Sequence, residues 1–133
     1  MVASTKKASV IDASAILSIL FTDEKTPQFL KTRITQFSQG KLKILAPDIL
    51  KYEVTNSIKS AVLQKRIAKN IAIKLLKKFL LLPITYLPIN HQKTLILAIR
   101  HNLSVYDTSY LHLAKSKHYP LLTLDKKLKQ LAK

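Results

Sequence analysis

The sequence predicts an α/β protein: a single domain over residues 1–133 whose mainly parallel central sheet is flanked by helices. Three observations carry that reading. Short apolar runs suited to buried strands alternate with longer segments of helical period. A chain of 133 residues is long enough for one domain and one real core. Hydrophobic residues make up 47% of it, which favours folding over disorder.

The elements follow in order. A short buried strand covers residues 8–11, and a short helix covers 14–20. Thr26-Pro27 opens a second helix with proline at its first position, and Gly40, the single glycine, closes it. KLKILAP, residues 41–47, is a second strand. A helix runs from Asp48 to about Lys65 with Ile49, Tyr52, Ile58, Ala61 and Val62 as its apolar face. Asp48, which follows Pro47, is its N-cap or a first-turn acid that complements the helix dipole. A basic amphipathic helix spans about 68–81. PITYLPI, residues 83–89, is a third strand, and its two prolines argue for a short or edge position. Asn90 starts a helix that ends near His101-Asn102, and Ser104 caps the next, VYDTSYLHLAKSKH. PLLTL, residues 120–124, is the fourth strand, and DKKLKQLAK is a C-terminal helix. No repeat, linker or low-complexity stretch interrupts this order.

Composition narrows the function. Lys and Arg number 23 against seven Asp and Glu, a formal net charge of +16. Such a field concentrates polyanions, and nucleic acid is the expected one, as substrate or partner. With no cysteine there is no disulfide framework and no thiolate metal site, which fits a reducing, cytoplasmic compartment. Lysines interrupt every apolar run short of the roughly 18 residues a membrane span needs, and the first residues lack a clean apolar signal core.

In so basic a chain the place of each acid carries information. Asp23 and Glu24, in FTDEKTP, read as solvated loop charges, and Asp48 as a helix-start residue. The other four sit beside apolar sequence. Asp12 follows the first strand directly, and Asp125 follows the fourth. In parallel sheets function gathers at the carboxyl ends of strands. Glu53 and Asp107 lie early in helices that border the same edge. Asn56 shares a helical face with Glu53, and Ser14 and Thr123 lie two residues from Asp12 and Asp125. Four converging carboxylates repel one another. They either share protons in a structural polar cluster or hold a hard divalent cation, and spacing alone leaves both open. The four histidines lack zinc-type spacing.

Taken together, the motifs VIDASAIL, APDILKYEVTNSI, SVYDTSYLHLAK and PLLTLD resemble those of the PIN-domain nucleases, in the same order and over nearly the whole chain. The resemblance is strongest to short bacterial and archaeal toxins of the VapC type. One departure is that many relatives carry glycine just before the last strand, where this chain has KSKHYPLL. The resemblance implies a metal-dependent endoribonuclease in which Asp12, Glu53, Asp107 and Asp125 are catalytic and bind Mg²⁺, or alternatively Mn²⁺. Asp12 and Asp107 would be the direct ligands. Ser14, Asn56 and Thr123 would orient the carboxylates. The implied substrate is single-stranded or looped RNA. The implied partners are a cognate antitoxin, which lays a helix in an apolar groove, and a second copy in a homodimer; no membrane is involved. Two alternatives are a PIN-like RNA-processing nuclease without antitoxin and an inactive nucleic-acid-binding module of the same fold. Lys74, Lys77 and Lys78 share one helical face, with Lys65, Arg66 and Lys69 just before them, as an RNA-facing stripe or an equally plain solvated face. Tyr106 and Tyr110 flank the site helix, and at helical spacing they read as packing residues in preference to a base-stacking platform.

Overall fold

The computed structural model describes residues 7–21 and 25–133. Asp23 and Glu24 fall outside the described residues. The elements run β1 (Lys7–Ile11), α1 (Ala13–Leu20), α2 (Gln28–Ser38), β2 (Leu42–Pro47), α3 (Ile49–Leu63), α4 (Lys69–Leu80), β3 (Thr85–Leu87), α5 (His91–His101), α6 (Val105–Lys117), β4 (Leu121–Leu122) and α7 (Lys126–Leu131). The four strands form one parallel sheet in the order β3-β2-β1-β4. From β1 the chain steps outward to β2 and β3, then returns to place β4 on the other side of β1. The direction of winding therefore reverses between β1 and β4, and a crevice opens at the carboxyl ends of strands at such a point.

The strands are apolar on both faces because helices cover both. In β1, Val10 and Ile11 are fully buried, and in β2, Ile44, Leu45 and Ala46 are buried. Val10 pairs with Leu45 on one side and Leu121 on the other, which makes β1 the central strand on which the site depends. Pro47 has no N–H to donate. It is tolerated because it pairs with Leu87 of β3 past the stretch where β2 meets β1.

Several boundaries differ from the sequence expectation, each for a physical reason. β3 is an edge strand of three residues, cut short by Pro83 and Pro88. β4 has two residues where five were expected. Beyond Leu122 the backbone leaves the ladder, and its N–H groups turn to side chains: Leu124 N donates to Ser14 Oγ at 2.9 Å and Asp125 N to Thr123 Oγ1 at 3.0 Å. Pro27 is the N-cap of α2 and not its first helical residue; its carbonyl accepts from Leu30 and Lys31 N–H. Asp48 has helical backbone angles and makes no side-chain cap bond, so it acts at the start of α3 through its charge alone.

The core face of α3 is also rotated from the expected one. Leu50, Val54, Ile58 and Ala61 form the buried stripe, whereas Tyr52 is 74% exposed. The stripe at spacings of four and three packs toward the sheet and leaves position 52 off its axis. Leu50 and Val54 each contribute about 1.5–3 kcal/mol by burial. The remaining caps follow the sequence: Asn90 accepts from Lys93 N at 3.0 Å, and Ser104 from Asp107 N at 3.0 Å. At the C-terminal end of α6, His118 takes a left-handed backbone with φ +58°. A histidine there holds a conformation costly for residues with a Cβ.

Candidate active site

Asp12 is the residue around which the crevice is built. It leaves β1 at its carboxyl end, its N–H still bonded to Leu122 O of β4 at 3.1 Å. It is only 4% exposed. Burial raises its pKa from the ordinary 3.8, and the charge of Asp107 raises it further. Opposing this are two hydroxyls and one amide. Ser14 Oγ donates to Oδ1 at 2.6 Å, Ala15 N donates to Oδ1 at 3.1 Å as an N-cap bond to α1, and Thr123 Oγ1 donates to Oδ2. No cation is among the described groups acting on Asp12. A carboxylate offers about four lone-pair sites. Three are filled here, and one on Oδ2 is left.

Ser14 and Thr123 each serve twice. The Ser14 hydroxyl donates to Asp12 and accepts from Leu124 N–H. That of Thr123 donates to Asp12 and accepts from Asp125 N–H. The two hydroxyls, 3.4 Å apart, thus tie the start of α1 to the end of β4 across more than a hundred residues of chain.

Glu53 enters from α3. Its Oε1 accepts from the hydroxyl of Tyr110, a buried residue on α6. Burial raises its pKa above 4.5, Tyr110 lowers it, and the charges of Asp107 and Asp12 raise it again. The Tyr110 hydroxyl is itself held far above its ordinary pKa, first by burial and then by Glu53, so it remains a donor at every working pH. Asp107 sits in the first turn of α6, where the helix dipole favours an anion. Among the described residues its carboxylate has no hydrogen-bond partner, which leaves both oxygens available.

Asp12, Glu53 and Asp107, from three different elements, therefore share one electrostatic field. The other two candidates stand differently. Asp125 caps α7, its Oδ1 accepting from Leu128 N at 2.9 Å, and it touches the cluster through its own N–H on Thr123. Asn56 is exposed and lies with Lys51, Tyr52, Thr55 and Lys59 in a shallow depression beside Glu53. Tyr110 is the partner of Glu53 that spacing undervalued. It follows Asp107 by three positions, on the same helical face, and a buried tyrosine hydroxyl needs a partner.

The donor set is all oxygen, as Mg²⁺ or Mn²⁺ prefers. Among the described residues no three or more His, Asp or Glu side chains stand together closely enough to hold a metal ion by themselves. An open arrangement is what Mg²⁺ uses, since it keeps several waters and takes one or two carboxylates together with substrate phosphate. The free lone pair on Asp12 and the unengaged Asp107 carboxylate fit that pattern. So does the uncompensated negative charge in a chain of net +16.

The sequence profile of the PIN domain matches residues 9–133. A curated relative, ribonuclease VapC3 of Pyrobaculum aerophilum, is 29% identical over 123 residues, which is 90% of each chain. Among solved structures, PAE2754 of Pyrobaculum aerophilum superposes with a TM-score of 0.74 at 25% identity, over 97% of this chain and 89% of that one. VapC20 of Mycobacterium tuberculosis, a toxin that cleaves the sarcin-ricin loop, superposes with a TM-score of 0.63 at 11% identity, over 91% and 92%. That second likeness bears on the fold alone.

Proposed function

As the chain belongs to the PIN domain family, we propose that it is a metal-dependent endoribonuclease and the toxin of a toxin–antitoxin pair, acting in the cytoplasm. The observation that carries the reading is the convergence of Asp12, Glu53 and Asp107 at the switch point of the sheet, with no described cation to neutralise Asp12 or Glu53. The curated relative's name, a ribonuclease, supports RNA as the substrate.

Asp12 and Asp107 would hold Mg²⁺ or Mn²⁺, with Glu53 at the third side and Asp125 behind Thr123. When bound, the ion would polarise a phosphodiester and acidify a water poised for in-line attack. The chain's own residues do the rest. Ser14, Thr123 and the Ala15 amide fix the rotamer of Asp12 and leave one lone pair on Oδ2 for the ion. Tyr110 holds Glu53 by one oxygen and leaves the other free to accept a proton or a water. The positive surface outside the crevice draws RNA toward an acidic centre that would otherwise repel it.

Two exposed apolar stretches supply surface for protein partners: Ile71, Ile73 and Leu80 on α4, and Leu95, Ile96 and Ile99 on α5. An antitoxin and a second copy of the chain would cover them. Among the described residues no helix is long and apolar enough to cross a membrane.

The test is RNA cleavage by the purified protein. Activity should vanish in EDTA and return with Mg²⁺ or Mn²⁺, and Asp107→Asn should lose at least about a hundredfold in rate while unfolding at an unchanged temperature. Full cleavage in chelator would refute the metal mechanism. Growth arrest that the product of a neighbouring gene does not relieve would refute the toxin assignment.

A further inference from the structure

We propose that the groove between the first turns of α3 and α6 is a nucleobase slot on the RNA path, with Tyr52 and Tyr106 as its stacking platforms. The inference rests on the RNA-cleaving reading and adds to it a subsite for the substrate.

The groove has a volume of about 450 Å³ and an almost wholly apolar lining that includes Tyr52, Tyr106, Val105, Pro88 and Ile89. Tyr52 is 74% exposed and Tyr106 60%, so two large aromatic side chains face solvent with no core to pack. Each directly precedes a site carboxylate: Tyr52 before Glu53 on α3, and Tyr106 before Asp107 on α6. Consecutive helical positions point about 100° apart, so a base seated there would lie around the helix from the carboxylates and its strand would run on from the groove to reach them.

Tyr52 borders a second depression as well, of about 470 Å³, lined by Lys51, Thr55, Asn56 and Lys59. One side of the tyrosine is thus apolar and aromatic, and the other is cationic and hydrogen-bonding. A single-stranded nucleotide divides in the same way, into a base with a π face and a charged backbone, and such strands are commonly bound by stacking platforms along a positive track. Asp48 is the one acid in the apolar groove. It would repel phosphate there and accept a hydrogen bond from an amino-bearing base. Charge also bears on the occupant. Lys51 and Lys59 border the groove through the adjoining depression, and they attract a polyanion such as RNA.

The experiment measures anisotropy of a labelled single-stranded oligoribonucleotide and of an abasic strand of equal length, in EDTA so that cleavage does not intervene. The wild type should bind the base-bearing strand about tenfold more tightly than the abasic one. Tyr52→Ala with Tyr106→Ala should reduce that preference below about twofold, and the paired Tyr→Phe variants, which keep the rings, should retain it. Lys59→Ala should weaken both strands equally and lower the salt slope by about one. A preference that survives in the double alanine variant overturns the slot. So does a halved mass of that variant by light scattering, which would make the groove a contact between copies. Binding and cleavage fail separately. A protein that discriminates bases yet never cleaves with Mg²⁺ refutes the nuclease reading, and one that cleaves without discriminating refutes the slot.

Discussion

Replacing Thr123 by valine removes, at nearly constant volume, one of the two hydroxyls that join Asp12 to the end of β4. Thr123 is 1% exposed, so water cannot take the place of that oxygen. Two bonds are lost together: the donation to Asp12 Oδ2 and the acceptance from Asp125 N–H. A hydrogen bond to a charged group contributes about 1.5–3 kcal/mol, and an unsatisfied amide costs about 1–3 kcal/mol. The part-buried Asp125 N–H falls at the low end, so the expected loss is about 3 kcal/mol near neutral pH. For a chain of this length that corresponds to a fall of roughly 9–15 °C in melting temperature.

The loss should depend on pH, and the sign follows from Asp12. Burial raises its folded pKa above 3.8, and the Thr123 hydroxyl opposes the rise. Without that hydroxyl the folded pKa rises further, so the charged form is penalised more in the variant. The gap between wild type and variant is therefore full above both folded values and shrinks as pH falls through them toward 3.8. Thermal unfolding in chelator, from pH 4 to 8, measures it directly. In an Asp12→Asn background the same Thr123→Val change should cost at least about 1 kcal/mol less, because the charge that made the bond strong is gone. A cost below about 0.5 kcal/mol, or one that is the same at every pH and in both backgrounds, would show that Thr123 is mere packing.

Asp12→Asn alone, in chelator, should be at least as stable as the wild type at pH 7. A raised folded pKa means that wild-type stability declines as pH climbs from 3.8 through that value, and asparagine both removes the decline and remains a good N-cap for α1; a lower melting temperature at pH 7 would mean that the carboxylate itself holds the fold. Tyr110→Phe should cost about 1 kcal/mol in thermal unfolding, since the half-buried Glu53 regains some water, and should slow cleavage by more than that stability change explains; unchanged turnover would make Tyr110 purely structural. His118→Gly should raise the melting temperature by about 3–5 °C by relieving a left-handed backbone held by a residue with a Cβ, and no rise would place some unrecognised contact on the histidine ring.

The alternation of strands and helices, the Asn90 and Ser104 caps and the order of the acidic motifs are legible in the sequence because each depends on neighbours a few residues away. Local chemistry also marks Asp12 as anomalous, since a carboxylate between two apolar runs must be paid for by something. Periodicity read the face of α3 less well: it counted Tyr52 as apolar core, because a hydrophobic pattern cannot tell a residue that meets the sheet from one that meets solvent. What pays for Asp12 is decided only in three dimensions. The return of the chain to lay β4 beside β1 brings Thr123 onto Asp12 and Leu124 N–H onto Ser14, contacts more than a hundred residues apart that no spacing rule encodes. The same docking places Tyr110 of α6 on Glu53 of α3, and it commits one oxygen of Asp125 to capping α7. Sequence alone singles out the acids as candidates, because charge beside apolar residues is a local conflict. Only the tertiary structure decides their hydrogen bonds and burial, because these depend on which elements become neighbours.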